Sequence, residues 1–140
     1  VLKLDSRHPE ALRYRDLADR AIYEARAKEE ISQIIGRQRK AEEDKDLLLL
    51  INDIGSQSLR QEKQLDEKNL FNYYDQIKWS SVSNILFKFK DRSHAEVRFS
   101  YTSPAVYKKT GTKATVFAGE KTWTMEKQGD VWKIISEEKK

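Results

Sequence analysis

"KTWTMEKQGDVWKII", residues 121–135, decides the fold. Two tryptophans, Trp123 and Trp132, flank a Gly129-Asp130 pair in a chain that is otherwise heavily charged. A glycine-first pair suits a two-residue hairpin turn, which sets Gln128 opposite Val131. Met125 then faces Ile134, Lys127 faces Trp132 and Trp123 faces Ser136, all on one side of the ribbon. On the other side Glu126 lies opposite Lys133, and Thr124 opposite Ile135. One face is largely apolar, with a lysine stem laid along an indole. The other carries an opposite-charge pair. Register alone therefore accounts for both tryptophans as core residues, without a ligand.

The same reasoning extends upstream. "ILFKFKDRSHAEVRFSY" (85–101) folds back on a three-residue loop, Asp91-Arg92-Ser93. Phe89 then meets Ala95, Phe87 meets Val97 and Ile85 meets Phe99, with Lys88 opposite Glu96 on the outer face. A two-residue turn would set Phe87 against Glu96 and mix the faces. "KKTGTK" (108–113) reads as the loop to the next strand. From Trp79 onward the period stays at two. The expectation is four long antiparallel strands in a meander with helices on one face, an α+β domain.

Ahead of the sheet the period is helical. Pro9 suits a first turn and Glu10 the positive end of the helix dipole. Tyr14, Leu17, Ala18, Ala21, Ile22, Ala25, Ile31, Ile34 and Ile35 follow at helical spacing, to about Ala41. Such a helix spans roughly 50 Å at 1.5 Å per residue. "AEEDKD" (41–46) reads as a turn and "LLLLINDI" (47–54) as a short buried helix. Residues 55–69 are polar and weakly patterned, and read as a loop that can hold a short strand. "LFNYYDQI" (70–77) reads as one or two turns of a third helix, with Asp75 on it.

Composition narrows the classes. The 140 residues suffice for one domain with a core. Charged residues make up 36% of the chain, but the signs are interleaved and the net charge is only +4. With no cysteine, neither a disulfide framework nor a thiolate metal site is possible. The longest apolar run, Leu47 to Ile51, falls far short of a membrane span, so no membrane insertion is expected. No initiator methionine or signal pattern precedes residues that are already patterned. The chain is therefore expected to be a piece of a longer protein, with cytoplasm and bacterial cell envelope both open.

The order helix, short helix, third helix and four strands ending in "TWTMEKQGDVWKII" resembles the nuclear-transport-factor-2-like (SnoaL-like) superfamily. "AEEDKDLLLLINDI" is similar to that superfamily's bend between its first two helices. The resemblance covers about residues 28–138 and implies a cone of helices on one face of a curved antiparallel sheet of four or more strands. Its members include enzymes, binders and adaptors, so it implies no single function. "VLKLDSRHPEALRYRDLADRA" at the front is similar to a tetratricopeptide-repeat junction, although Ser6 stands where the repeats carry proline. The division that follows is a helical extension over 1–27, ending a repeat array, and a domain over 28–140.

His8 and His94 are the only histidines, and neither has carboxylates at ligand spacing, so no metal site or cofactor is expected. Basic residues at 37–40, 88–92, 108–113 and 139–140 are mixed with acids or dispersed, which argues against nucleic acid. The inward positions are Ile85, Phe87, Phe89, Val97, Phe99, Tyr101, Trp123, Met125, Trp132 and Ile134. Only Tyr101 among them carries a polar group apart from the indoles, so the cone reads as dry and filled. The resulting expectation is no enzyme but a binding or scaffold module, with a protein or neighbouring repeats as partner and the oligomeric state open. The alternative is a small-molecule or isomerase-like site in a residual cavity, with Tyr73, Tyr74, Asp75, Tyr101 and Trp123 as candidates.

Overall fold

The computed structural model describes residues 9–78, 81–103, 105–107 and 117–140. Three helices, α1 (Pro9–Asp44), α2 (Leu47–Asn52) and α3 (Gln57–Tyr73), precede six strands. The strands are β1 (Tyr74–Ile77), β2 (Ser81–Asp91), β3 (His94–Ser103), β4 (Ala105–Tyr107), β5 (Phe117–Gln128) and β6 (Val131–Lys139). β2, β3, β5 and β6 form a curved, unclosed antiparallel sheet in that order, and β1 pairs with β4 in a separate two-stranded sheet. The α+β expectation holds.

Helix α1 runs without a break past residue 28, and its buried face is Ala27, Ile31, Ile34, Ile35, Gln38, Ala41 and Glu42. Tyr23 packs edge-on against Phe89, with ring centroids 6.5 Å apart. The corner after α1 is sharp because Lys45 takes a left-handed φ of 55°. Asp46 N–H then donates back to Ala41 O at 2.8 Å, and the Asp46 carboxylate caps α2 at Leu49 N–H. Lys45 Nζ donates to the carbonyls of Phe71 and Tyr74, pinning this corner to the end of α3.

The segment after α2 is stitched to β6. Ile134 N–H donates to Asp53 O and Gly55 N–H to Ile134 O, each at 2.8 Å. Glycine is required at 55: a Cβ there would lie 2.7 Å from both Gln128 Nε2 and Lys133 Cβ. Buried Asp53 takes a forked pair of hydrogen bonds from Arg37, fixing α1 against this junction.

Residues 57–69, read as a loop, are helical. Ser56 caps the helix at Leu59 N–H. The helix escaped detection because its buried stripe is Leu59, Lys63 and Glu67: the spacing is helical but two of the three residues are charged. Residues 74–77, read as helix, form strand β1, and Asp75 is exposed on it.

Gln128↔Val131, Lys127↔Trp132, Glu126↔Lys133 and Met125↔Ile134 pair as expected, and Gly129 carries the positive φ of 65° that the turn needs. Beyond Met125 the register slips: Thr124 pairs with Ser136 and Trp123 with Glu137. Ile135 is the extra residue of a β-bulge. In the β2–β3 hairpin, Phe87↔Val97, Lys88↔Glu96 and Phe89↔Ala95 hold. The loop itself is tighter than three residues, because Asp91 pairs with His94. A second irregularity near Asn84, at φ 54°, shifts Ile85 off Phe99 and leaves it 37% exposed, so Ile85 is not an inward residue. "KKTGTK" (108–113) and Trp79 lie outside the described residues.

The core sits between α1, α2 and the sheet: Val97, Phe99, Trp123, Met125, Trp132 and Ile134 are all at most 1% exposed. Trp123 lies edge-on against Phe99 at 4.9 Å, and Trp132 against Phe89 at 6.5 Å. Trp132→Ala is expected to destabilise the fold by about 3–5 kcal/mol through the cavity it leaves. Chemical denaturation measures this; a loss under about 1 kcal/mol would mean the indole carries little packing.

Candidate active site

The bulge in β6 builds the site. Without it, alternation would put Ile134, Ser136 and Glu138 on the inner face. The extra residue brings Glu137 inward instead, where its side chain is only 5% exposed. There Glu137 Oε1 accepts from Lys63 Nζ at 2.7 Å and lies 3.6 Å from Lys139 Nζ, while Oε2 accepts from Trp123 Nε1 at 2.8 Å. Lys63 also lies 3.7 Å from Glu67 Oε1, its neighbour one helical turn on. Across the cone, Lys121 Nζ of β5 lies 3.8 Å from Glu42 Oε1 of α1 and 4.8 Å from the centre of the Tyr101 ring.

Five charged side chains thus share the interior: Glu42, Lys63, Glu67, Lys121 and Glu137. Burial penalises charge here, so the titration of Lys63, Glu67, Lys121 and Glu137 is set by how well each is compensated. Burial alone would raise Glu137, but Lys121 and Lys63 hold it down to about 2. Burial works against the Lys63 ammonium too, yet Glu137 and Glu67 keep it above the usual lysine range. Glu67 is the group left short: burial and then repulsion from Glu42 raise it to about 7, against weaker help from Lys63 and Lys121. Its Oε2 is buried with no hydrogen-bond partner among the described residues. Burial also lowers Lys121, with Glu42 opposing, and raises Tyr101, helped by Glu137 and Glu42.

This cluster borders a cavity of about 590 Å³. Glu42, Glu67, Lys121, Lys139, Tyr101 and Ser103 give it a polar wall, and Leu70, Tyr73, Tyr74 and Ile77 an apolar one, with Asp66 and Asn69 at α3. The cone is therefore neither dry nor filled, which corrects the sequence reading. Lys121 and Ser103 lie on the same alternation as Trp123 and Tyr101, so extending each strand by one inward step would have found them. Glu137 was hidden by the bulge, and Lys63 and Glu67 by the misread helix.

Of the five candidates, the structure brings Tyr73, Tyr74 and Tyr101 together on the cavity wall. Asp75 is exposed on β1 and does not line the cavity. Trp123 is fully buried behind the wall, where it orients Glu137. His94 sits on the β2–β3 hairpin, paired with Asp91 at 2.8 Å. Among the described residues no group of three or more histidines and carboxylates could hold a metal ion, and no helix is long and apolar enough to cross a membrane.

The architecture is the nuclear-transport-factor-2-like cone. A protein of Novosphingobium aromaticivorans assigned as a scytalone dehydratase superposes with a TM-score of 0.77 at 14% identity, over 86% of this chain and 87% of that one. A hexachlorocyclohexane dehydrochlorinase (LinA, type 2) gives 0.73 at 13% identity, over 86% and 88%. A nuclear transport factor 2-like superfamily protein of Salmonella enterica serovar Typhimurium gives 0.71 at 12%, over 83% and 91%. At these identities the likeness establishes the fold. No protein-family model matches the sequence, and no curated protein matches it. The expectation of a non-enzyme does not stand: it rested on a filled cone, and several of the similar structures bear the names of enzymes.

The two carboxyls give opposite pH signatures. Glu67 binds its proton more tightly folded than unfolded, so it makes stability fall as pH rises from about 4.5 to about 7. Glu137 is the reverse: its contribution is present above about 4.5 and is lost as pH falls toward 2. Glu67→Gln should therefore gain on the parent by roughly 3 kcal/mol between pH 4.5 and 8. A gap that stays constant across that range in urea titrations would mean that Glu67 ionises normally.

Proposed function

We propose that the cone cavity binds a small, partly apolar organic molecule and moves a proton to or from it, with Glu67 as the acid–base group. The observation that carries this reading is the buried, unpartnered Oε2 of Glu67 beside a 590 Å³ cavity. A carboxyl that titrates near neutrality exchanges protons at working pH in both directions. Leu70, Tyr74 and Ile77 offer apolar surface for the body of the molecule, while Ser103, Tyr101 and Lys121 can meet an oxygen function or stabilise developing negative charge. The reaction class that fits is removal of a proton with departure of a leaving group, or return of the proton elsewhere. The names dehydratase and dehydrochlorinase both denote loss of a proton together with a leaving group, which supports this class. It takes the place of the scaffold reading.

A thermal-shift and NMR screen of ring-bearing alcohols and ketones tests it. Hits should stabilise the parent, lose binding in Leu70→Trp, which fills the cavity, and keep binding in Glu67→Gln. Turnover of any substrate found should fall about 10²–10⁴-fold in Glu67→Gln. Equal turnover by parent and Glu67→Gln would refute the role of Glu67, and equal binding by Leu70→Trp would refute the site.

A second reading rests on the front of α1, where Leu12, Tyr14, Leu17 and Ile22 are 43–70% exposed. We infer that residues 1–27 dock on a neighbouring helical repeat, in keeping with the repeat-like junction in the sequence. Deleting residues 1–21, short of Tyr23, should leave the sheet folded by circular dichroism and change self-association by light scattering. Loss of cooperative unfolding would instead place the front of α1 in the core.

A further inference from the structure

Three lysines serve the interior cluster, and only one is placed to act as a nucleophile. Lys63 is held at 2.7 Å by Glu137 and does not line the cavity, so it is fixed as an ammonium. Lys139 is 47% exposed and well hydrated. Lys121 lines the cavity with a side chain only 6% exposed, lies over the Tyr101 ring, and has its carboxylate neighbour Glu42 at a loose 3.8 Å. Charged groups facing it among the described residues include Glu42, Lys63, Glu137 and Lys139, and burial is the largest influence, shifting it toward the neutral amine. A buried lysine amine facing a cavity is the group that attacks carbonyl carbon. The nearby carboxyl that can lend a proton is Glu67 on the same wall.

We propose that the cavity takes a carbonyl compound, an aldehyde or ketone, which Lys121 captures as an imine while Glu67 supplies the proton that removes the carbonyl oxygen as water. This rests on the reading of the cavity as a ligand site and names the substrate class for it. The Lys121 nitrogen lone pair forms the C–N bond as the C=O π pair moves to oxygen, and a proton passes from nitrogen to that oxygen to give a carbinolamine. Glu67 then donates its proton to the hydroxyl, the C–O bond breaks, and water leaves. The nitrogen lone pair closes the protonated imine, leaving Glu67 as a carboxylate opposite the new cation. Burial, which raises Glu67 and lowers Lys121, favours the uncharged acid and amine from which that charge pair forms. Proton removal beside the imine carbon is then the step that the acid–base reading requires.

Benzaldehyde is the probe, applied to the full chain at pH 7 with cyanoborohydride, and peptide mapping shows which lysines carry the reduced benzyl adduct. Lys121 should be labelled at least tenfold faster than Lys139 or any exposed lysine, and Glu67→Gln should slow that labelling about 10²-fold. Benzyl alcohol, which fits the same space but forms no imine, should bind and protect Lys121. The parent chain carries the decisive readout, so the result does not depend on a lysine variant folding. Label spread evenly over surface lysines, or none at Lys121, overturns the proposal. If benzyl alcohol binds in that case, the imine alone is refuted; if it does not bind, the cavity reading falls with it.

Discussion

Glu137 is the point on which the interior of the cone depends. It joins three elements: Lys63 from α3, Trp123 from β5 and Lys139 from its own strand all converge on one carboxylate. A buried carboxylate with a full set of donors is tolerable, whereas one stripped of a partner is destabilising by several kcal/mol. Its position comes from the Ile135 bulge, since a regular β6 would present Ser136 inward and leave Lys63 without its 2.7 Å partner. One inserted residue thus determines where α3 can dock and which charges enter the cone. The Asp53 and Gly55 hydrogen bonds to Ile134 hold the strand in place just before the bulge, so the junction after α2 indirectly sets the geometry of the site.

Compensation is uneven, and the unevenness is informative. Glu137 is satisfied on both oxygens and sits low, near 2; Glu67 has one loose contact, an orphaned oxygen and a value near 7. Two glutamates within reach of the same lysine are therefore displaced in opposite directions, one held as an anion and one able to exchange its proton near neutrality. Stability alone would favour an apolar residue at position 67, because an unsatisfied buried oxygen contributes nothing to packing. Such local conflict with the fold's interest is where function is expected to reside.

The sheet was largely legible in the sequence because two physical rules converge there. Alternation fixes the faces, and the Gly129-Asp130 turn fixes the register, so Met125, Trp132 and Ile134 fall inward without further information. The site was not legible for the converse reason. Bulges at Ile135 and near Asn84 break alternation without any mark that composition shows, and each moves residues from one face to the other. In α3 the period of the buried face is carried by Leu59, Lys63 and Glu67, so a search for apolar recurrence sees a loop. A pattern that counts salt-bridging charges four apart, headed by the Ser56 cap, would have recovered the helix.

The fold leaves open which chemistry the cone runs, and the residues on its wall restrict it. At 11–14% identity most of the similar structures share a backbone plan and little else. The described wall of the cavity contains no histidine, and His94, the one histidine within the described residues, is committed to Asp91 on an outer hairpin. The groups on the described wall that could carry the proposed proton transfer are therefore carboxyl, amine and phenol. Of these, the phenol of Tyr101 is pushed further from neutrality by burial and by the nearby carboxylates, which suits it to donate a hydrogen bond and not to give up its proton. Burial moves Glu67 upward and Lys121 downward, toward one another and toward the working pH. A carboxyl and an amine displaced in those directions by the same low-dielectric wall are what the proposed reaction asks of an acid–base pair, and the cavity between helix and sheet is the space that reading assigns to the substrate.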